Sequence, residues 1–320
     1  MNGVTVLVPQ AGPVAAHETT LHPIGGHGPA GSLNICVVFA TRGRPDILSA
    51  VVASLDHQTH RPASIILSCT SRDDAGVAAE RSDVTLMIGP AGCCAQRNTA
   101  LRHLPIDTHI VVFFDDDFVP HPNWLNAVAA TFAARPDVSA ITGRLIADGI
   151  KGPGLSFDDA CEMIEAFGDK DFDAIEEHYS PYGCNMAFRV EALDGLTFDE
   201  RLVLYGWLED RDFGAALARR GGRSIKLGAA LGVHLGIKTS RMPGNRLGYS
   251  QIVNPIYLFR KGHMSVRSVA DHLGRNMLSN LFGSFAPEPY VDRRGRLRGN
   301  LVGIGDLVRG RVAPERAAQL

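Results

Sequence analysis

The stretch that most constrains this chain is Ile110-Val111-Val112-Phe113-Phe114 running straight into Asp115-Asp116-Asp117. An unbroken apolar run of this length suits a central strand buried on both faces. Charge then begins at the carboxyl end of the strand, where open α/β sheets bind their ligands. With extended geometry, Asp115 and Asp117 point one way and Asp116 the other. Neighbouring carboxylates repel, so a site that keeps them ionised supplies a cation. Oxygen ligands favour Mg²⁺ or Mn²⁺. Such a cation can take phosphate oxygens of a nucleoside diphosphate and neutralise the charge that builds as it leaves. A solvated acidic turn is the plain alternative, and the buried strand feeding it argues against that.

The surrounding pattern alternates strands with helices. Residues 35–40 read as a strand ending in the punctuation Thr41-Arg42-Gly43-Arg44-Pro45, and Asp46 is placed to cap a helix carrying Leu48, Val51, Val52 and Leu55 on one face. Residues 65–67, 84–88, 109–114, 138–142 and 183–190 read as further strands. Residues 95–104, 122–134 and 210–220 read as helices, the last stopped by Gly221-Gly222. The order predicts an α/β fold, a mostly parallel sheet with helices on both faces. No internal repeat is present.

Composition narrows the function classes. Hydrophobic residues make up 45% of the 320, which excludes wholesale disorder. The net charge of −2 gives no general case for nucleic-acid binding. No apolar run reaches the ~18–20 residues of a membrane-spanning helix. The apolar stretch 4–8 has no basic segment before it, so a secretory signal is not expected. The six cysteines form no C-x-x-C pair and read as reduced, mostly buried thiols of a cytoplasmic protein. Residues 1–32, with His17, His22 and His27, read as a flexible extension rather than a metal site. Residues 158–177 hold nine carboxylates against Lys170 alone, which suits a solvated helical excursion or a lid. Residues 291–320 carry seven arginines.

Two more constellations bear on chemistry. Trp207-Leu208-Glu209-Asp210-Arg211-Asp212 sits where a helix should begin, and a helix N-terminus keeps a carboxylate ionised. An ionised carboxylate beside a cleft can accept a proton from an attacking hydroxyl. Simple charge complementarity to the helix would also explain Asp210, and Trp207 is either a platform for a sugar ring or core. His234 follows a short apolar run and gains interest only beside the aspartates, as a further metal ligand.

Taken in order, these pieces resemble the family 2 glycosyltransferases of the GT-A fold. The resemblance is carried by residues 37–45, by Ser54-Leu55-Asp56-His57-Gln58-Thr59, by Ala95-Gln96-Arg97-Asn98 and by the D-x-D segment 114–117. It continues through Tyr182-Gly183-Cys184-Asn185-Met186-Ala187-Phe188-Arg189, Phe198-Asp199-Glu200-Arg201-Leu202, Glu209-Asp210 and His234, covering about 34–262. It implies metal-dependent, inverting transfer of a sugar from a nucleotide-sugar donor, UDP-linked by default, to a hydroxyl of a glycan or lipid-linked acceptor in polysaccharide or glycoconjugate assembly. By similarity, Asp115, Asp117 and His234 hold Mn²⁺ or Mg²⁺ and the diphosphate. Ala40, Thr41, Arg44, Cys69, Arg97, Asp115 and Asp116 belong to the donor pocket. Asp210 is the general base, with Glu209 and Trp207 on the acceptor. One departure is clear: members usually carry an acidic residue just after the second strand, and Ser68-Cys69-Thr70-Ser71 stands there instead.

The implied division is a 1–32 extension, a 33–262 catalytic domain and a 263–320 helical, basic tail. Apolar patterns at Tyr249, Ile252, Ile256, Tyr257, Leu258 and Phe259, interrupted by Pro255, and at Met277, Leu278, Leu281, Phe282 and Phe285 suit a peripheral contact with the inner membrane face. The same patterns fit helices packed back on the catalytic domain, or a dimer contact. Two rival functions use the same residues. A haloacid-dehalogenase-type phosphatase also carries D-x-D-x-[TV], here Asp115 to Val119, but on its opening strand. A non-catalytic sugar-nucleotide binder would not need the Glu209-Asp210 pair.

Overall fold

The computed structural model describes residues 33–167, 174–239 and 242–320. The extension 1–32 with its three histidines lies outside the described residues, as do Asp169, Lys170, Asp171 and Asp173 of the acidic stretch. In chain order the elements are β1 (Ile35–Ala40), α1 (Pro45–Ser54), β2 (Ser64–Cys69), β3 (Val84–Ile88), α2 (Cys93–Leu101), β4 (Ile110–Phe114), β5 (Phe118–Pro120), α3 (Trp124–Ala134), β6 (Val138–Asp148), α4 (Phe157–Phe167), β7 (Ile175–Glu177), β8 (Asn185–Arg189), α5 (Glu209–Arg219), β9 (Arg223–His234), α6 (Gly244–Arg260), α7 (Val266–Gly283) and α8 (Arg293–Val308).

Both faces of the central strands are buried, as the unbroken apolar runs require. Ile35, Val37, Phe39, Ile110, Val112 and Phe114 join one core with side chains of α1, α3 and α4. Cys36, Val38, Val111 and Phe113 join a second with Cys94 of α2, Phe213 and Leu217 of α5 and Leu258 of α6. The strand order is β3-β2-β1-β4-β8-β6-β9-β5, with β7 also on β9. From β3 to β4 every pairing is parallel. Beyond β4 the sheet is mixed: β8 runs antiparallel between β4 and β6, β6 is parallel to β9, and β5 and β7 are antiparallel to β9. The expected parallel sheet is thus its first half. A parallel neighbour needs a long crossover, whereas β8 is entered from the opposite end after the excursion from β6.

Several boundaries differ from the sequence reading for local reasons. Arg44 occupies the N-cap of α1, with Pro45 at the first helical position and Asp46 inside the first turn. β6 continues to Asp148 instead of stopping at 142, because it pairs with β9 across three register shifts that hide its period. α6 runs through Pro255 rather than breaking there. A mid-helix proline costs about 3 kcal/mol. Burial of Tyr249, Ile252, Val253, Pro255 itself and Leu258 offsets it. α6 and α8 approach closely at glycines, since a Cβ on Gly248 would run into the Arg296 carbonyl and one on Gly299 into the Asn245 carbonyl.

The first apolar pattern of the tail therefore packs back on the protein, except for Phe259, which is exposed. The second does not: Phe282 is 67% exposed and Phe285 79%, beside exposed Leu278 on α7 and Leu301 and Val308 on α8. Among the described residues no helix is long and apolar enough to cross a membrane. Of the acidic stretch, residues 158–167 lie in α4, which buries Ala160 and Ile164 and leaves its carboxylates in solvent, and Glu176 and Glu177 lie in β7, paired with Lys226 and Arg223 of β9. No cysteine is bridged among the described residues, and Cys36, Cys69, Cys94 and Cys184 are buried.

Candidate active site

The strand ends where its charge begins. After Phe114 the chain turns instead of staying extended, with the Phe118 amide donating to the Asp115 carbonyl at 3.1 Å. The two-sided arrangement survives the turn. Asp115, Asp117 and His234 bring one ligand atom each within 4.8 Å of one another. Asp116 faces away, accepting from the Thr41 hydroxyl at 2.7 Å and from Arg44 Nη1 at 2.9 Å. His234 arrives through β9, whose last residue pairs in register with Phe118. Its Nε2 lies 3.3 Å from Asp117 Oδ1. Asp117 Oδ2 accepts from the Ile237 amide at 2.8 Å.

Two carboxylates and one imidazole fit Mn²⁺ well, since hard oxygens dominate and one borderline nitrogen completes the set. The electrostatics suit a cation too. Burial pushes the Asp117 carboxyl up, but His234, Arg44 and the Ile237 amide outweigh it and hold it at about 2. Burial pulls His234 down, but Asp117 and Asp148 overcome this and raise it to about 10. Without a metal, a proton on His234 supplies the positive charge. Burial raises Asp115 and lifts Asp116 to about 6, in both cases against nearby arginine.

The second group of carboxylates sits at the start of α5. The loop before it is tightly wound: Leu204, Gly206 and Leu208 all have positive φ, at 62°, 72° and 73°. Left-handed backbone at non-glycine residues costs about 1–3 kcal/mol and collects at functional sites. Glu209 accepts from Arg97 Nη1 at 2.6 Å. Asp210 accepts from the Gly183 amide at 2.9 Å and the Arg211 amide at 2.7 Å. Burial, then the charge of Asp210, pushes Glu209 up to about 8 against the pull of Arg97. Burial also raises Asp210, against its two amide donors.

Arg97 joins the two groups. Its side chain is 3% exposed, and Nη2 donates to Asp115 Oδ1 at 3.2 Å and to the Gly183 carbonyl at 3.0 Å. Phe113 and Phe198 lie 5.7 and 5.3 Å from the guanidinium carbon.

The structure moves several residues of the expected donor pocket behind the site. Thr41 and Arg97 are buried and spend their polar groups on carboxylates. Arg44 also clamps the loop after β9, donating to the Ile237 and Thr239 carbonyls at 3.3 and 3.2 Å. Ala40 stays partly exposed at the end of β1. Cys69 does not reach the cleft; it is fully buried with Ile65 and Leu67. The carboxylate that lies by the end of β2 is that of Asp74, which reaches back to the Thr70 hydroxyl at 2.6 Å, the Ser71 amide at 2.9 Å and the Gly43 amide at 2.7 Å. Trp207 is half-buried, edge-on to His272 of α7 at 6.4 Å between ring centres. Asp148, unmarked in the sequence reading, accepts from His234 Nδ1 at 2.9 Å.

A carboxylate group able to hold a cation thus lies at the end of β4, joined by the histidine that closes β9, with an acidic pair opening α5. Residues 32–239 match the family described as glycosyltransferase like family 2, and the chain belongs to it. The fold recurs in solved structures of low sequence identity. TarS 1-349 of S. aureus is 13% identical with a TM-score of 0.55, over 90% of this chain and 83% of that one. The mannosyltransferase PcManGT of Pyrobaculum calidifontis, in complex with GDP-Man and Mn²⁺, is 17% identical with a TM-score of 0.52, over 93% and 82%. Glucosyl-3-phosphoglycerate synthase of Mycobacterium tuberculosis, with Mn²⁺, UDP and glucosyl-3-phosphoglycerate, is 18% identical with a TM-score of 0.51, over 78% and 89%. No curated protein matches the chain in sequence. The chain is a glycosyltransferase, and the phosphatase reading falls with its family.

Proposed function

We propose that this glycosyltransferase moves a sugar from a nucleotide-sugar, UDP-linked by default, to a hydroxyl of a glycan or lipid-linked acceptor, with inversion. The observation that carries the reading is the placement of two acidic groups separated by Arg97 and the Gly183 backbone. Asp115, Asp117 and His234 would hold Mn²⁺ or Mg²⁺, which when bound supplies charge neutralisation for the departing diphosphate. Asp210 is the base: two backbone amides orient it, and its raised pKa makes it a better proton acceptor than an ordinary aspartate. Inversion follows from one base removing the acceptor proton in a single displacement. Glu209, fixed by Arg97, orients the acceptor, and Trp207 bounds its sugar. Ala40 and the Asp74-closed loop after β2 border the donor nucleotide.

The division into a 33–262 catalytic unit and a 263–320 tail belongs to the same proposal. Exposed Leu278, Phe282 and Phe285, with arginines along α8, suit peripheral contact with an anionic membrane face, where a lipid-linked acceptor would lie. The deciding experiment presents a panel of nucleotide sugars with Mn²⁺ and measures nucleoside diphosphate release, with a generic phosphatase substrate alongside. Turnover of a nucleotide sugar that disappears in Asp117→Ala is expected. Phosphatase turnover alone would refute the reading.

A further inference from the structure

Asp148 ends β6 at the rim of the site, outside the group Asp115, Asp117 and His234. It is the register partner of His234 across the parallel β6–β9 pair. Its Oδ1 accepts from His234 Nδ1 at 2.9 Å. This leaves Nε2 toward Asp117. Asp148 is itself held on both oxygens: Oδ1 also accepts from the Ile150 amide and Oδ2 from the Tyr182 hydroxyl, each at 3.1 Å. Lys238 ties the following turn down, donating to the Gly149 and Ile150 carbonyls at 3.0 and 2.9 Å. Side chains are excluded where the two chains cross. A Cβ on Gly149 would run into the Leu235 carbonyl, and one on Gly236, at φ +64°, into the Gly149 backbone.

An imidazole offers two nitrogens and two ring orientations, but a ligand must present one lone pair in one direction. A carboxylate accepting from the other nitrogen fixes both choices and strengthens the donor. We propose that Asp148, braced by Tyr182, is the positioning residue of the cation site and sets which nitrogen of His234 faces the metal. This rests on the reading that Asp115, Asp117 and His234 hold a divalent cation. Tyr182 extends its reach, because the next residue, Gly183, donates to Asp210. One dipeptide thus braces the cation side and the acceptor base together.

The test uses the full chain and Mn²⁺ alone, with free Mn²⁺ counted by electron paramagnetic resonance. Asp148→Ala is expected to weaken Mn²⁺ binding about 10- to 100-fold. Asp148→Asn should recover most of that, because its Oδ1 still accepts from Ile150 and His234 while its amide donates to the Tyr182 oxygen. In a His234→Ala background, Asp148→Ala should cost nothing further. Binding within twofold of the unaltered chain, or an equal loss with and without His234, overturns the proposal. A second measurement needs no substitution: ¹⁵N spectra of the histidine rings with Mg²⁺ bound should show His234 protonated at Nδ1 only, and the opposite tautomer overturns it. If the unaltered chain binds neither Mn²⁺ nor Mg²⁺, the metal-site reading falls and this inference with it. Intact metal binding that ignores Asp148 sinks the inference alone.

Discussion

Arg97→Met should destabilise this protein by an amount that grows with pH. Methionine nearly conserves volume and keeps contact with Phe113 and Phe198, but it cannot donate. Three hydrogen bonds disappear, to Glu209, Asp115 and the Gly183 carbonyl. Glu209 is only 7% exposed, so water cannot replace them fully. Its folded pKa, near 8, lies above the ordinary glutamate value of 4.5. At pH 6 Glu209 is therefore largely protonated when folded, and the loss is that of hydrogen bonds to a buried acceptor, about 1–3 kcal/mol. At pH 9 Glu209 is ionised, and removing its partner strands a buried charge, about 3–5 kcal/mol. The sign follows from linkage: a raised carboxyl pKa favours the folded state at low pH, and that benefit is lost as pH rises from 4.5 through 8. Without Arg97 the folded pKa climbs further and the loss continues beyond 8. Urea unfolding of both proteins at pH 6 and pH 9 measures the difference directly. A cost that is the same at both pH values, or under about 1 kcal/mol at pH 9, refutes the role given to Arg97.

Three further outcomes are expected. Mn²⁺ binding near pH 7.5 should release close to one proton, because His234 sits near 10 and must shed its Nε2 proton while Asp117, near 2, has none to lose. Calorimetry in buffers of different ionisation enthalpy reads the proton count, and a value near zero refutes the assignment. Asp210→Asn should keep Mn²⁺ and donor binding but lower kcat about 10²- to 10⁴-fold; unaltered transfer would remove Asp210 as the base. Phe282→Ser with Phe285→Ser should abolish sedimentation with anionic vesicles at low salt. Failure of the unaltered chain to sediment would remove the membrane role.

The features legible in the sequence were those set by short-range pattern. β4 announced itself by an apolar run ending in charge, and the α5 pair by its place at a helix start. The orientation of arginine was not legible, because a long guanidinium chooses partners by which face of the sheet it enters. Arg97 enters from α2 beneath β4 and is consumed by carboxylates. Cys69 could have been assigned to the core from period-2 alternation, since it shares a side of β2 with Ile65 and Leu67. Asp148 was hidden for another reason: the strand carrying it runs past its apolar start through Arg144 and irregular pairing with β9. Its importance depends on a cross-strand register that no local pattern encodes.

The reversed direction of β8 has a consequence for how such a molecule can change. A parallel strand offers the site its end, whereas an antiparallel neighbour offers its beginning. The excursion of residues 149–184 therefore leaves the cleft at Asp148 and returns to it at Gly183, one end beside His234 and the other beside Asp210. One anchor ends β6 and the other lies in the turn just before β8, while α4 packs its Ala160 and Ile164 on the core and β7 pairs with β9 between them, so the excursion is fastened at several points. Its room for variation is the exposed carboxylate face of α4, where substitutions leave the contacts with His234 and Asp210 at its two ends in place.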